Sequence, residues 1–143
     1  MCNSKCLGKE ISILANKMNR MINKNISKYG ITCIQGKIIG YIYSESPKRD
    51  IFQKDIEVEF DIRRSSVTSV LNLLQKNGCI ERIPSQEDGR LKKIVLTPKG
   101  VNIHMDAYKA ITEIENSMQR VLTEEEIDMF FDIITRLNKN ITS

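Results

Sequence analysis

The chain has 143 residues, of which 41% are hydrophobic and 28% are charged. This composition supports one buried core and excludes a disordered chain. No apolar run approaches the roughly 18 residues of a membrane span, and the N-terminal residues lack the apolar stretch of a secretory signal. We therefore expect a soluble, cytoplasmic protein, in which the four cysteines are reduced thiols.

Positive and negative residues are segregated along the chain. Residues 63–99 contain eight Lys or Arg and three Asp or Glu, whereas residues 100–143 contain four and eight. A basic block of this kind is typical of a nucleic-acid-binding segment, although alternating solvated faces also produce one. The charge distribution therefore indicates a nucleic acid as the class of partner, and it does not indicate which nucleic acid or which sequence is bound.

Apolar residues recur at three- and four-residue steps near the N-terminus. The stripe that contains Ile11 and Leu14 predicts a helix over about residues 9–28. Gly30 suits a left-handed end to this helix. A second helix is predicted over about residues 34–45. It ends there because the proline that follows disfavours helical backbone in the residue before it.

The central segment predicts a short helix, a tight turn and a second helix. The first covers Asp55–Phe60, and the second covers about residues 64–77 with one apolar face. The outward face of the second helix is polar, and basic at its N-terminal end, where such a helix meets bases and phosphates in a major groove. A solvated face would fit the polar residues equally well, and the two arginines favour the DNA interpretation. The candidate DNA contacts on this helix are Arg63, Arg64, Ser65, Ser66, Thr68, Ser69 and Asn72.

Two short alternating segments follow and predict a β-hairpin. They cover about residues 79–83 and 92–96, and the loop between them is rich in turn formers. A long cation at the tip can enter a narrow minor groove while neighbouring lysines meet phosphates. An aspartate there is useful if it pairs with the arginine or a backbone amide, although a plain turn former is the alternative. The candidate DNA contacts on the hairpin are Asp88, Arg90, Lys92 and Lys93.

The C-terminal third predicts two more helices. Thr97 followed by Pro98 begins the first of them, and its near-heptad apolar spacing suits packing along another long helix. A capping box at Thr123 begins the last helix. The whole pattern predicts a mainly α fold with a small β-hairpin wing, that is, a winged helix-turn-helix domain with N- and C-terminal helices.

The elements and their motifs resemble the MarR family of bacterial winged-helix transcriptional regulators. The resemblance is densest between residues 52 and 100, and it includes the wing pattern Asp-x-Arg-x-Lys, here Asp88, Arg90 and Lys92. It implies a homodimer that binds a pseudo-palindromic operator in double-stranded DNA, with recognition helices in major grooves and wings in minor grooves. It also implies a repressor that a small aromatic or phenolic effector releases.

The resemblance further implies one MarR-type domain over residues 1–143. Its winged helix-turn-helix lobe covers about residues 48–98, and its dimerisation helices cover about 9–29 and 98–140. The residues expected at the dimer contact are Ile11, Leu14, Phe130, Phe131 and Ile134. The residues expected to line an effector pocket between the first, second and fifth helices are Met18, Ile22, Tyr41 and Tyr108.

Other classes of function stay open at this point. A winged helix need not touch DNA and can serve as a protein-interaction module. A thiol-based redox sensor of the same fold would use a cysteine such as Cys33, at the start of the second helix, although a small buried residue is the alternative. An enzyme would need a nucleophile and a base, which a chain with His104 as its one histidine and no phosphate-binding loop does not assemble. The same shortage of ligands argues against a metal, and we expect no cofactor.

Overall fold

The computed structural model describes residues 5–141. They form six α-helices, one 3-10 turn and a two-stranded sheet, and the predicted fold class is confirmed. The chain divides into two compact units, one ending at Ala110 and the other beginning at Ile111. The elements are α1 (Leu7–Ile26), the 3-10 turn (Ser27–Tyr29), α2 (Cys33–Glu45), α3 (Gln53–Phe60), α4 (Arg64–Lys76), β1 (Ile80–Pro84), β2 (Lys92–Leu96), α5 (Pro98–Gln119) and α6 (Glu124–Asn140).

The core of the first unit consists of aliphatic side chains from α1 to the first half of α5. Burying a side chain of this kind contributes about 1.5–3 kcal/mol. This burial holds α4 against α3 and against the hairpin, and so fixes which face of α4 remains at the surface. The core residues with at most 1% exposure include Ile26, Ile38, Ile42, Ile56, Val67, Leu71, Leu74, Ile80, Ile94 and Ile103.

Two local features set the helix-turn-helix, a side-chain cap and a left-handed residue. The amide of Phe52 donates to the Asp55 carboxylate (2.9 Å), which caps the start of α3. Asp61 then ends α3 with a left-handed backbone (φ 51°), and aspartate tolerates that conformation better than most residues. The chain therefore turns within three residues and enters α4 as predicted.

The strands of the hairpin run antiparallel, with Ile80 opposite Leu96 and Pro84 opposite Lys92. The amide of Ile94 also donates to the carbonyl of Ile51 (2.7 Å), which ties the hairpin to the segment before α3. Where α5 leaves the hairpin, a side chain at Gly100 would overlap the backbone of Cys79. Glycine is therefore required at this close approach.

The cysteines differ in whether their sulfur is a free thiol or part of a disulfide. Cys33 and Cys79 are free and buried, and burial raises the pKa of the Cys79 thiol. Cys6 is disulfide-bonded, so the expectation of reduced thiols is wrong for this residue. Its backbone is extended and it stands just before α1, outside the core that encloses the two free thiols. Cys2 lies outside the described residues.

The second unit contains the end of α5 and all of α6. The predicted capping box is present, since the Thr123 amide donates to the Glu126 carboxylate (2.8 Å) and the Glu126 amide donates to the Thr123 hydroxyl (3.1 Å). No residue of α6 is buried. Over residues 5–141, no helix combines the length and the apolar character needed to cross a membrane.

Candidate nucleic-acid interface

The predicted outward face of α4 lies at the surface. The hydroxyl of Thr68 donates to the Arg64 carbonyl (2.9 Å), and that of Ser69 donates to the Ser65 carbonyl (3.1 Å). Since each hydroxyl has one proton, neither can donate to a ligand while it makes this bond, and the exposed Ser69 hydroxyl is left to act as an acceptor. The exposed residues of this face are Arg63, Arg64, Ser65, Ser66, Ser69 and Asn72, and Thr68 is half-buried.

Gln53 belongs to this surface, although the sequence did not indicate it. Its side-chain amide donates to the Thr68 hydroxyl (2.8 Å) and to the Arg64 carbonyl (3.3 Å). These bonds fasten the first residue of α3 to the first turns of α4. Sequence reasoning began α3 at Asp55, two residues too late, because it did not recognise that this carboxylate caps the helix from inside.

The hairpin tip is organised by Asp88. Its carboxylate accepts from the backbone amide of Arg90 (3.0 Å) and from the Arg90 guanidinium (3.2 Å). The guanidinium and then the amide hold the pKa of the Asp88 carboxyl below its usual value. The predicted pairing is confirmed for both partners, and it leaves the Arg90 side chain 92% exposed.

The two lysines of β2 lie on opposite faces of the strand. Lys92 is exposed on the side of α4, whereas Lys93 is half-buried with its ammonium 4.0 Å from the Asp50 carboxylate. Adjacent strand residues alternate in this way by geometry. The structure therefore groups Lys92 with Arg90 and sets Lys93 apart from them.

A cleft of about 450 Å³ separates α3, α4 and the hairpin. Five cationic side chains and one carboxylate, that of Glu57, are among its lining residues. Charges of one sign in a concave surface concentrate counter-ions, and a strand of phosphates is the complementary partner. The cations are Lys54, Arg64, Arg82, Arg90 and Lys92.

The residues predicted to line an effector pocket fall in different side-chain clusters. Tyr41 packs edge-on against Phe60 of α3 (5.9 Å between centroids) and accepts a hydrogen bond from Arg49 (2.8 Å). Burial raises the pKa of this tyrosine, and the guanidinium opposes the rise. Tyr108 instead lies beside His104 (5.8 Å). Ile22 is buried in the core and Met18 is half-buried.

Other candidate ligand groups are few. The thiol of Cys33 donates to the side-chain oxygen of Asn19 (3.3 Å) inside the fold. Across residues 5–141, no three His, Cys, Asp or Glu side chains gather in a way that could hold a metal ion.

A helix-turn-helix with an exposed second helix and a basic hairpin beside it defines the winged helix-turn-helix class. The sequence profile of the MarR family matches residues 29–91. MhqR of Bacillus subtilis is 25% identical over 125 residues, covering 86% of this chain and 83% of that protein. MarR of Salmonella typhimurium is 25% identical over 122 residues, covering 85% and 83%.

Solved structures show the same fold. The structure of Staphylococcus aureus MepR in complex with DNA matches with a TM-score of 0.87 at 22% identity, over 96% of this chain and 100% of that one. A mutant of Escherichia coli MarR complexed with operator DNA matches with a TM-score of 0.78 at 22% identity, over 92% of each chain. The chain is similar to MarR-family transcriptional regulators over most of its length. These matches support the predicted resemblance to the MarR family, and they favour a transcriptional regulator over an enzyme.

Proposed function

We propose that this regulator binds a pseudo-palindromic operator in double-stranded DNA as a homodimer, in the cytoplasm, and represses transcription there. The observation that carries the proposal is the cation-lined cleft between α3, α4 and the hairpin. An exposed polar helix on one side and a preorganised arginine on the other give it both a base-reading and a phosphate-holding part. MepR and MarR, whose structures were solved with DNA, have the same fold.

The proposed homodimer is supported by exposed apolar side chains on α1 and on α6, each considered by itself. Ile11 and Leu14 are both 47% exposed. Phe130 is 49% exposed and Phe131 57%, while Ile134 is half-buried. Apolar surface of this kind on a small chain marks a protein interface. A second copy of the chain would cover it and would set two recognition helices on successive major grooves.

Selection from a random duplex library tests the DNA-binding proposal. The full chain is expected to enrich one pseudo-palindromic sequence with half-sites about one helical turn apart. A winged helix that serves only as a protein-interaction module would enrich no sequence, and that result would refute the proposal.

We further propose that a small aromatic or phenolic compound releases the operator. Release requires the compound to bind the free and DNA-bound arrangements unequally. Displacement of the selected operator by a panel of phenolic acids tests this. Release by peroxide alone, abolished by Cys33→Ser, would instead support the thiol-sensing alternative, which the burial of Cys33 does not favour.

A further inference from the structure

Arg82 joins the hairpin to the recognition helix. It lies on β1, half-buried, and its Nε donates to the side-chain oxygen of Gln75 (2.6 Å) while Nη2 donates to that of Asn72 (2.7 Å). Both bonds are short, and both acceptors are exposed residues of α4, one turn apart. A single guanidinium therefore holds two amide side chains of the helix that faces the proposed DNA.

The chemistry of arginine fixes how these amides are turned. A guanidinium only donates hydrogen bonds, so the atom of each amide that meets it must be the carbonyl oxygen. The amino group of an amide lies in the same plane as the oxygen but on the other arm of the carbonyl carbon, so it points away from the donor. Asn72 consequently keeps its carbonyl oxygen on Arg82 and directs an NH2 group away from it, on the exposed face of α4.

This orientation matters because an unrestrained asparagine reads adenine with both ends of its amide. Adenine offers one acceptor, N7, and one donor, the N6 amino group, in the major groove. Guanine offers two acceptors, and thymine offers O4. An amide whose oxygen is held against a guanidinium directs its NH2 group outward, and the adenine amino group would oppose that donor.

We propose that Arg82 is a positioning residue that sets the base preference of α4. By holding the oxygen of Asn72 it selects the acceptor edge of guanine or thymine over adenine at one position of each half-site. The inference rests on the proposed function and adds to it which base edge is preferred and which residue determines that preference.

The test compares sequences selected from a random duplex library by the full wild-type chain and by Arg82→Lys. Lysine keeps the charge but cannot hold two amides in one plane. We expect wild type to select guanine or thymine at the position concerned. Arg82→Lys should lose that preference or move it toward adenine, with about tenfold weaker binding to the wild-type operator. The rest of the selected motif should not change. A general loss of structure would instead weaken the preference at every position.

Two further variants complete the test. Asn72→Ala, at an exposed position, should lose the preference at the same base pair, and adding Arg82→Lys to it should change that position no further. Arg120→Lys, in the loop after α5, controls for the arginine-to-lysine change itself. If Arg82→Lys does not fold, as judged by its thermal melt, Arg82→Gln takes its place in the comparison, because one NH2 group cannot reproduce the two-nitrogen fork that holds both amides.

The possible failures are distinguishable. If the wild-type chain enriches a motif that neither variant alters, the positioning role is wrong and DNA binding stands. If the position sensitive to Asn72→Ala is adenine, the outward NH2 group does not determine the base. The positioning role is then also wrong, and DNA binding stands. If the wild-type chain enriches no motif, the proposed function itself fails.

Discussion

Asp88 is a carboxylate on a surface that we propose meets phosphates, and its bonds to Arg90 explain its presence. The aspartate limits the conformations of an exposed cation at the hairpin tip. A side chain ordered before binding loses less entropy on binding. The smaller entropy loss of the Arg90 side chain favours binding, and it opposes the electrostatic penalty of a negative charge near DNA.

Replacing Asp88 and Arg90 in turn should distinguish the effect of an ordered Arg90 side chain from the effect of net charge on DNA binding. Arg90→Ala is expected to weaken operator binding about 5- to 150-fold with folding intact. Asp88→Ala should also weaken it, even though it makes the protein more positive. Fluorescence anisotropy with labelled operator measures both, and Arg120→Ala serves as a matched loss of charge outside the interface. Tighter binding by Asp88→Ala to every duplex would show that only long-range charge acts here.

His104 gives the fold a pH-dependent stability. Its ring stacks on Tyr43 (4.1 Å between centroids), and burial lowers the pKa of His104 below the usual 6.5. The unfolded chain therefore binds the proton more readily than the folded one. Stability is complete above the unfolded pKa and declines as the pH falls from there toward the folded pKa.

Urea unfolding at fixed protein concentration, followed from pH 8 to pH 5.5, measures this effect. The midpoint of wild type is expected to fall over that range, and the midpoint of His104→Gln should fall less. An identical pH dependence in the two proteins would assign the effect to other groups.

The apolar face of α6 is expected to hold the dimer. Phe131→Glu combined with Ile134→Glu should give monomers in sedimentation equilibrium, because two charges cannot be buried unpaired at an interface. Arg136→Gln with Lys139→Gln makes the chain more negative by the same two charges on the opposite, exposed face of the helix and should leave the dimer intact. A dimer that survives the first pair of changes would place the contact elsewhere.

Local signals made most of the elements predictable. The polar and apolar faces of α4, the turn at Asp61 and the capping box at Thr123 each depend on residues within one helical turn of one another. Strand alternation could also have separated Lys92 from Lys93 at the sequence level, since adjacent strand residues face opposite ways. The prediction grouped them by charge alone.

The contacts that complete the interface were not predictable in the same way. Gln53 meets Thr68 across 15 positions of sequence, and Arg82 meets Asn72 across 10. Such contacts depend on the angle and distance between packed elements, which the pattern of a single segment does not determine. Arg82 is one of the cations of the basic block at residues 63–99, and only the structure shows that its guanidinium donates to two amides of the same chain.

The charge distribution of the whole chain fits a partner that is itself a polyanion. Residues 63–99, which carry the recognition helix and the hairpin, hold the basic block, and acidic residues prevail after residue 100. Binding of this kind releases counter-ions from DNA, so its affinity depends steeply on salt. A module that binds another protein through apolar contacts would lack that dependence.

The most direct test of DNA binding is therefore the affinity of the full chain for its selected operator duplex as a function of salt. If the homodimer neutralises about 6–10 phosphates, affinity should fall by about three to five decades between 50 and 200 mM salt. A scrambled duplex should bind more weakly throughout and show a salt dependence of its own, since phosphate contacts do not read sequence. Affinity that does not change with salt, or equal affinity for the two duplexes, would contradict the account.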